Sequence, residues 1–357
     1  MRKRAAIVMG ATILFLIIIV GGRFLQQQNK DGTANIKELK TAESTDGTDD
    51  LAETENTDKG GEGKIQAVYT SAVPEQYFRM ASQQGQIIQI EYETHDYTTT
   101  SNGIITKPAY VYLPYGYDEK DGDTRYDILY LMHGWGMTAD NFFNSGMSQI
   151  VDIFDNLIEQ EEIPPVIVVS ATFDTENQPQ DFSRSVNEIA VFHNDFRDDL
   201  MPYIESRFHT YAEGTTEDDF QNSREHRAFA GFSLGAVTTW YQFVYNLDCI
   251  KYFAPMSGDC WILGTYGGRD KPAETTEYLE DIVRDSGLEN DDFYIYSGIG
   301  TNDPIWEQVD NQMQEMSLSD IFTSENLCYA IKQNGRHDMD ACEEYLYHAL
   351  PIFFSRN

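Results

Sequence analysis

The chain reads as an α/β protein with a mainly parallel central sheet and helices on both faces. Strand-like apolar runs alternate with segments that are amphipathic at helical spacing, which argues for that sheet. The globular part, about 280 residues, is ample for one such domain and shows no internal repeat. Its chemistry-bearing residues fall on loops that follow strand-like runs.

In chain order, residues 1–27 come first, as a membrane anchor or signal segment. Arg2-Lys3-Arg4 precede an uncharged run from Ala5 to Gly22. As a helix that run would be about 27 Å long, close to the ~30 Å of a hydrocarbon core. It is longer than a usual signal-peptide core and no Ala-x-Ala site closes it. A single-pass anchor is therefore expected, with the basic cluster cytoplasmic and the rest outside. Cleavage and secretion is the alternative. Residues 28–65 are mostly Thr, Asp, Glu, Gly and Lys and read as a solvated, disordered linker. Such a coil averages about 31–37 Å end to end. Residues 66–357 form the folded domain. The net charge of −34 excludes nucleic acid and anionic lipid as partners, leaving the membrane contact to the N-terminal segment.

Eight runs read as strands: Gln86–Tyr92, Ala109–Leu113, Ile128–Met132, Val166–Ser170, Ala228–Phe232, Tyr252–Met256, Phe293–Ser297 and Leu327–Lys332. Helical patterns span Phe142 to Gln160, Phe192 to Phe208, Val237 to Val244 and Ala341 to Phe354. Asp259 to Tyr278 lacks periodicity and reads as an insertion that shapes a pocket above the sheet.

Gly231-Phe-Ser-Leu-Gly235 lies between the Ala228–Phe232 run and the following helix. This is the pattern of a nucleophile elbow, in which a serine sits on a strained strand-to-helix turn. The helix N-terminus behind it favours developing negative charge. Ser233 is the candidate nucleophile, and Leu234 supplies one oxyanion-hole amide. Upstream, Tyr126 to Met132 leads into His133-Gly134-Trp135-Gly136, where hydrolases of this kind place their second donor. Trp135 takes that role, with Gly136 as the close alternative. His133 precedes the serine and so reads as a structural histidine.

An acid and a base complete the set. Asp303 follows the Phe293–Ser297 run in Gly300-Thr-Asn-Asp303-Pro304, with Asp259 as its rival. His337 follows the last strand in Gly335-Arg-His337, whereas His348 falls inside the closing helix. Ser233, Asp303 and His337 give the chain order of an α/β-hydrolase triad. No spacing demands a metal, and no cofactor is needed for such chemistry.

The folded region resembles the family 1 carbohydrate esterases, which include feruloyl and acetylxylan esterases. The resemblance is carried by Tyr110-Val-Tyr-Leu-Pro-Tyr-Gly-Tyr117, Leu131-Met-His-Gly-Trp135, Leu200-Met-Pro-Tyr-Ile-Glu205, Gly231 to Gly235, Gly300 to Asp303 and Gly335 to His337. It covers roughly residues 80–356. Ala236 replaces a common third glycine, and Arg336 and Met339 flank His337 where the family often has glycine and tryptophan. The resemblance implies an α/β-hydrolase fold and a serine esterase acting on esterified carbohydrate, removing feruloyl or acetyl groups from xylan, which the N-terminal segment makes an exported enzyme. A siderophore esterase or cell-envelope acyltransferase with the same triad is the alternative. A catalytically dead binding module is a third reading, and the intact triad argues against it. Trp135, Gly136, Trp261 and Trp306 are the candidate pocket residues. Trp261 either stacks on substrate, with Tyr266, or anchors its loop. Cys249, Cys260, Cys328 and Cys342 allow two disulfides or four buried thiols.

Overall fold

A computed structural model of the protein describes residues 65–144, 146–176 and 181–355. The proposed anchor and nearly all of the proposed linker lie outside the described residues. Among the described residues, no helix is long and apolar enough to cross a membrane.

Nine strands form one sheet among the described residues: β1 (Ala67–Tyr69), β2 (Gln86–His95), β3 (Ile104–Leu113), β4 (Asp127–Met132), β5 (Val166–Ala171), β6 (Arg227–Phe232), β7 (Tyr252–Met256), β8 (Tyr294–Gly300) and β9 (Leu327–Lys332). Their order is β1-β9-β8-β7-β6-β4-β5-β3-β2. Pairings from β1 through β5 in that order are parallel, and β3 pairs antiparallel with both β5 and β2. All eight expected strands are present. β1 was not anticipated; it is a three-residue apolar stretch, too short to show alternation, whose exposed side chains leave backbone pairing to β9 to hold it.

The buried central strands divide their side chains between two faces. Along β4, Ile128, Tyr130 and Met132 join one core cluster while Leu129 and Leu131 join the other. The first cluster is covered by α2 (Phe182–Asn194), α3 (Leu234–Asn246), α4 (Pro272–Ser286) and α5 (Trp306–Met316), through Phe192, Trp240, Leu279 and Met313 among others. The second is covered by α1 (Ile150–Glu159) and α6 (Met339–Phe353), through Phe154, Leu157, Tyr345 and Leu346. This two-sided cover is the expected layer arrangement.

Three helical expectations are corrected. α1 starts at Ile150, not Phe142; Phe142 and Phe143 are buried in a 3-10 turn of the preceding loop, which mimics the helical apolar pattern. The helix expected at Phe192 starts at Phe182, where Asp181 caps it by accepting from the Ser183 and Arg184 amides. It then passes through a π turn, Asp195–Leu200, and ends at Glu205. The insertion read as aperiodic to Tyr278 holds a short helical turn at Gly267–Asp270 and a full helix from Pro272, a proline tolerated in the first turn because its missing N–H would be unbonded anyway. The four cysteines are free thiols. Burial pushes Cys249 and Cys260 up to about 12 and Cys328 to about 11, which leaves them protonated and unreactive.

Candidate active site

The site is assembled at the carboxyl ends of β4, β6, β8 and β9. β6 ends at Phe232, and the backbone of Ser233 takes φ 60°, ψ −119°, before α3 begins at Leu234. An L-residue adopts that conformation only under constraint, at a cost of order 1–3 kcal/mol. Close packing imposes it. A Cβ on Gly231 would lie 2.2 Å from the Gly235 carbonyl oxygen, and one on Gly235 would lie 2.1 Å from that of Met132. Both glycines are needed because no side chain fits between the turn and its neighbours. The Ser233 amide donates to the Met256 carbonyl at 2.9 Å, tying the turn to β7.

Ser233, His337 and Asp303 form one hydrogen-bonded line. His337 Nε2 lies 2.9 Å from Ser233 Oγ, and His337 Nδ1 lies 2.9 and 3.1 Å from the two Asp303 carboxylate oxygens. The Asp303 side chain is fully buried, whereas that of His337 keeps 28 % of its exposure. Asp303 Oδ1 also accepts the Ile305 amide at 3.0 Å, which fixes the carboxylate plane. The two supporting loops are joined by backbone bonds, Thr301 N–H to the Lys332 carbonyl and Asn302 N–H to that of Gly335. The Phe232 ring packs 4.7 Å from the His337 ring. Asp338, the next residue, caps α6 through the Ala341 amide. The imidazole is thus held between a packed ring, a carboxylate and a helix start.

The rivals stand elsewhere. Asp259 accepts from Trp261 Nε1 at 2.6 Å and from the Arg269 amide at 3.1 Å, and burial raises its pKa to about 6. His348 lies on α6 and bonds the Ser71 carbonyl. His133 is buried, with Nδ1 2.8 Å from the Gly134 carbonyl and Nε2 2.8 Å from Thr172 Oγ1. Desolvation lowers its pKa to about 4, so it is a neutral structural ring.

The His133–Gly136 loop runs against the nucleophile. A Cβ on Gly134 would stand 3.0 Å from that of Ser233, which brings the next peptide to the serine. Leu234 opens α3, and Gly136 is exposed at φ 78°. The Trp135 ring meets Phe182 edge-on at 5.7 Å, and Phe182 meets Trp261 at 6.4 Å. Trp261 is only 5 % exposed, stands 5.0 Å from Tyr266 and spends its N–H on Asp259. It therefore anchors its loop and offers at most an edge. Trp306 packs near Tyr329 at the start of α5 and does not join the Trp135–Phe182–Trp261 group. Phe182 is the aromatic residue that sequence reasoning missed. The cap signal of Asp181, followed directly by an apolar first-turn residue, could have found it.

The Esterase family model matches residues 106–340. The chain is 33 % identical over 294 residues to endo-1,4-beta-xylanase Y of Acetivibrio thermocellus, covering 81 % of this chain and 25 % of that protein. A xylanase/feruloyl esterase of Xylanibacter ruminicola is 33 % identical over 160 residues, 44 % of this chain and 20 % of that protein. This chain therefore spans a quarter or less of the curated relatives' length. Among solved structures, the feruloyl esterase module from Clostridium thermocellum, as a serine mutant complexed with sinapinate, is 31 % identical with a TM-score of 0.68, covering 82 % of this chain and 95 % of that one. The chain belongs to the family 1 carbohydrate esterases. A ferulic acid esterase of Anaeromyces mucronatus, 18 % identical with a TM-score of 0.60 over 81 % of this chain and 97 % of that one, shares the fold. The α/β-hydrolase architecture and membership of a carboxylic ester hydrolase family are established on these matches together with the sheet.

Proposed function

We propose that this esterase hydrolyses hydroxycinnamoyl esters, feruloyl groups above all, carried on xylan-type carbohydrate. The observation that carries the reading is the 2.9 Å line from Ser233 Oγ through His337 to a buried Asp303, on a backbone strained at the serine. His337 takes the Ser233 proton as Oγ attacks the ester carbonyl, and the Trp135 and Leu234 amides stabilise the oxyanion. Asp303 holds the imidazole and its charged form. The leaving sugar hydroxyl takes the proton from His337, and water then releases the acid by the same steps in reverse order.

An aromatic acyl group is favoured over acetyl by the edge-on Trp135–Phe182 pair, whose Trp135 follows the Gly134 that packs on Ser233; the pair offers ring surface that an acetyl group cannot use. The names of the related xylanases and of the feruloyl esterase module support the same substrate class. The basic, apolar N-terminal segment supports an exported enzyme held at the cell surface. Methyl ferulate hydrolysis tests the reading. Ser233→Ala should lower kcat by about 10⁴-fold or more without unfolding the protein, and retained turnover would sink the assignment. Fractionation of cells expressing the full chain tests the anchor: activity belongs in the membrane pellet, and free activity in the medium would reject it.

A further inference from the structure

Lys107 lies within β3 with its side chain only 4 % exposed, and the ester chemistry does not use it. Its ammonium donates to Asp195 Oδ2 at 2.8 Å and to the Thr172 and Phe173 carbonyls at 3.3 and 3.2 Å. Asp195 is the first residue of the π turn and also accepts from the Tyr92 hydroxyl at 3.1 Å. Such turns are frequent at functional sites. A buried pair of this kind returns little net stability, because desolvation offsets most of the attraction. What it does locally is clasp the carbonyls of the loop that follows β5.

That loop reaches the Gly134 carbonyl, next to the nucleophile, in two further bonds. Thr172 Oγ1 accepts the Asp174 amide at 3.1 Å and faces His133 Nε2 at 2.8 Å. His133 Nδ1 faces the Gly134 carbonyl, which can only accept, so Nδ1 carries the hydrogen. The ring is neutral, so Nε2 holds a lone pair and the Thr172 hydroxyl donates to it. The Gly134 carbonyl and the Trp135 N–H belong to one trans peptide and point in opposite directions. Fixing the carbonyl toward His133 therefore fixes the direction of the Trp135 N–H.

We propose that Lys107, Asp195 and Thr172 are positioning residues for ester hydrolysis: they hold His133 in its Nδ1–H form, and His133 aims the Trp135 amide at the oxyanion formed on Ser233. The relay rests on the reading of Ser233 as nucleophile given above. It predicts that these three residues act on the transition state and leave ground-state binding alone.

Methyl ferulate kinetics are compared for Thr172→Val, Thr172→Ser and the paired change Lys107→Met with Asp195→Asn. Phenylboronate serves as the tetrahedral mimic and ferulate as the product inhibitor. Thr172→Val should lower kcat by roughly 10- to 100-fold, less than outright removal of an oxyanion donor, with KM within about twofold. Its phenylboronate Ki should rise by the same factor while ferulate inhibition stays unchanged, and Thr172→Ser should recover most of the loss. The paired variant should move in the same direction, and it carries the test if Thr172→Val does not fold. A folded Thr172→Val with wild-type kcat overturns the relay. So does a loss shared equally by boronate and ferulate, since a generally loosened pocket gives that. Turnover surviving in Ser233→Ala would overturn the reading beneath it; a dead Ser233→Ala beside an unaffected Thr172→Val overturns the relay alone.

Discussion

Two buried aspartates follow neighbouring strands of the sheet, and their partners give them different work. Asp303 faces an imidazole, whereas Asp259 faces an indole and a backbone amide. Both were legible as loop carboxylates, and only side-chain partners separate them, which no spacing encodes. Burial of His133 and Asp259 also sets a pH dependence. His133, depressed to about 4, stays neutral in the fold while the unfolded ring takes a proton below its ordinary value near 6.5. Its contribution is present above pH 6.5 and is lost as pH falls toward 4, roughly 3 kcal/mol in all. Asp259, raised to about 6, works in the opposite sense: the fold keeps a proton that the unfolded carboxylate releases, so stability falls as pH rises from 4 to 6. Asp259→Asn removes only the opposing contribution. Its Tm should climb more steeply than the wild type's between pH 4 and 6, and parallel curves would refute the shift.

At the scale of elements, the join between β6 and the end of the π-turned helix rests on Arg227. Its guanidinium makes a two-pronged pair with Glu205 at 2.7 and 2.8 Å, and both side chains are buried. Further bonds reach Ser223 Oγ and the Phe220 carbonyl. Arg227→Met should destabilise the domain by about 3–5 kcal/mol, because Glu205 would remain a buried charge with no cation, held only by the Tyr130 and Thr210 hydroxyls. Urea unfolding measures this, and a loss under 1 kcal/mol would contradict it. The strand that Arg227 opens was readable because Ala228 to Phe232 is a pure apolar run bounded by turn signals. The helix ending at Glu205 was read at its apolar end alone; its polar first turns, from Phe182, needed the Asp181 cap to be noticed. Phe142 and Phe143 misled in the other direction, since burial in a loop looks like burial on a helix. Lys107 and Thr172 carried no signal at all: one lysine in a strand means nothing until the partner strands are known.

For the whole molecule, four thiols without a bridge mean that no disulfide contributes to stability, which is left to the two apolar layers and the buried polar pairs between them. Denatured protein should titrate four thiols with a disulfide reagent and the native protein none promptly, with Tm indifferent to reductant. Fewer than four would reveal a bridge. The sheet order also has a mechanical meaning. β1 pairs with β9, and Thr70 adds bonds to the Ile331 carbonyl and to Glu344 at the root of α6. β9 is the strand that delivers His337. If the N-terminal segment tethers the enzyme as proposed, any pull on the tether enters the domain through β1 and loads the strand that carries the base. Tension would then loosen the imidazole before it reached the serine, so an enzyme dragged too hard on its leash would fall silent while still folded.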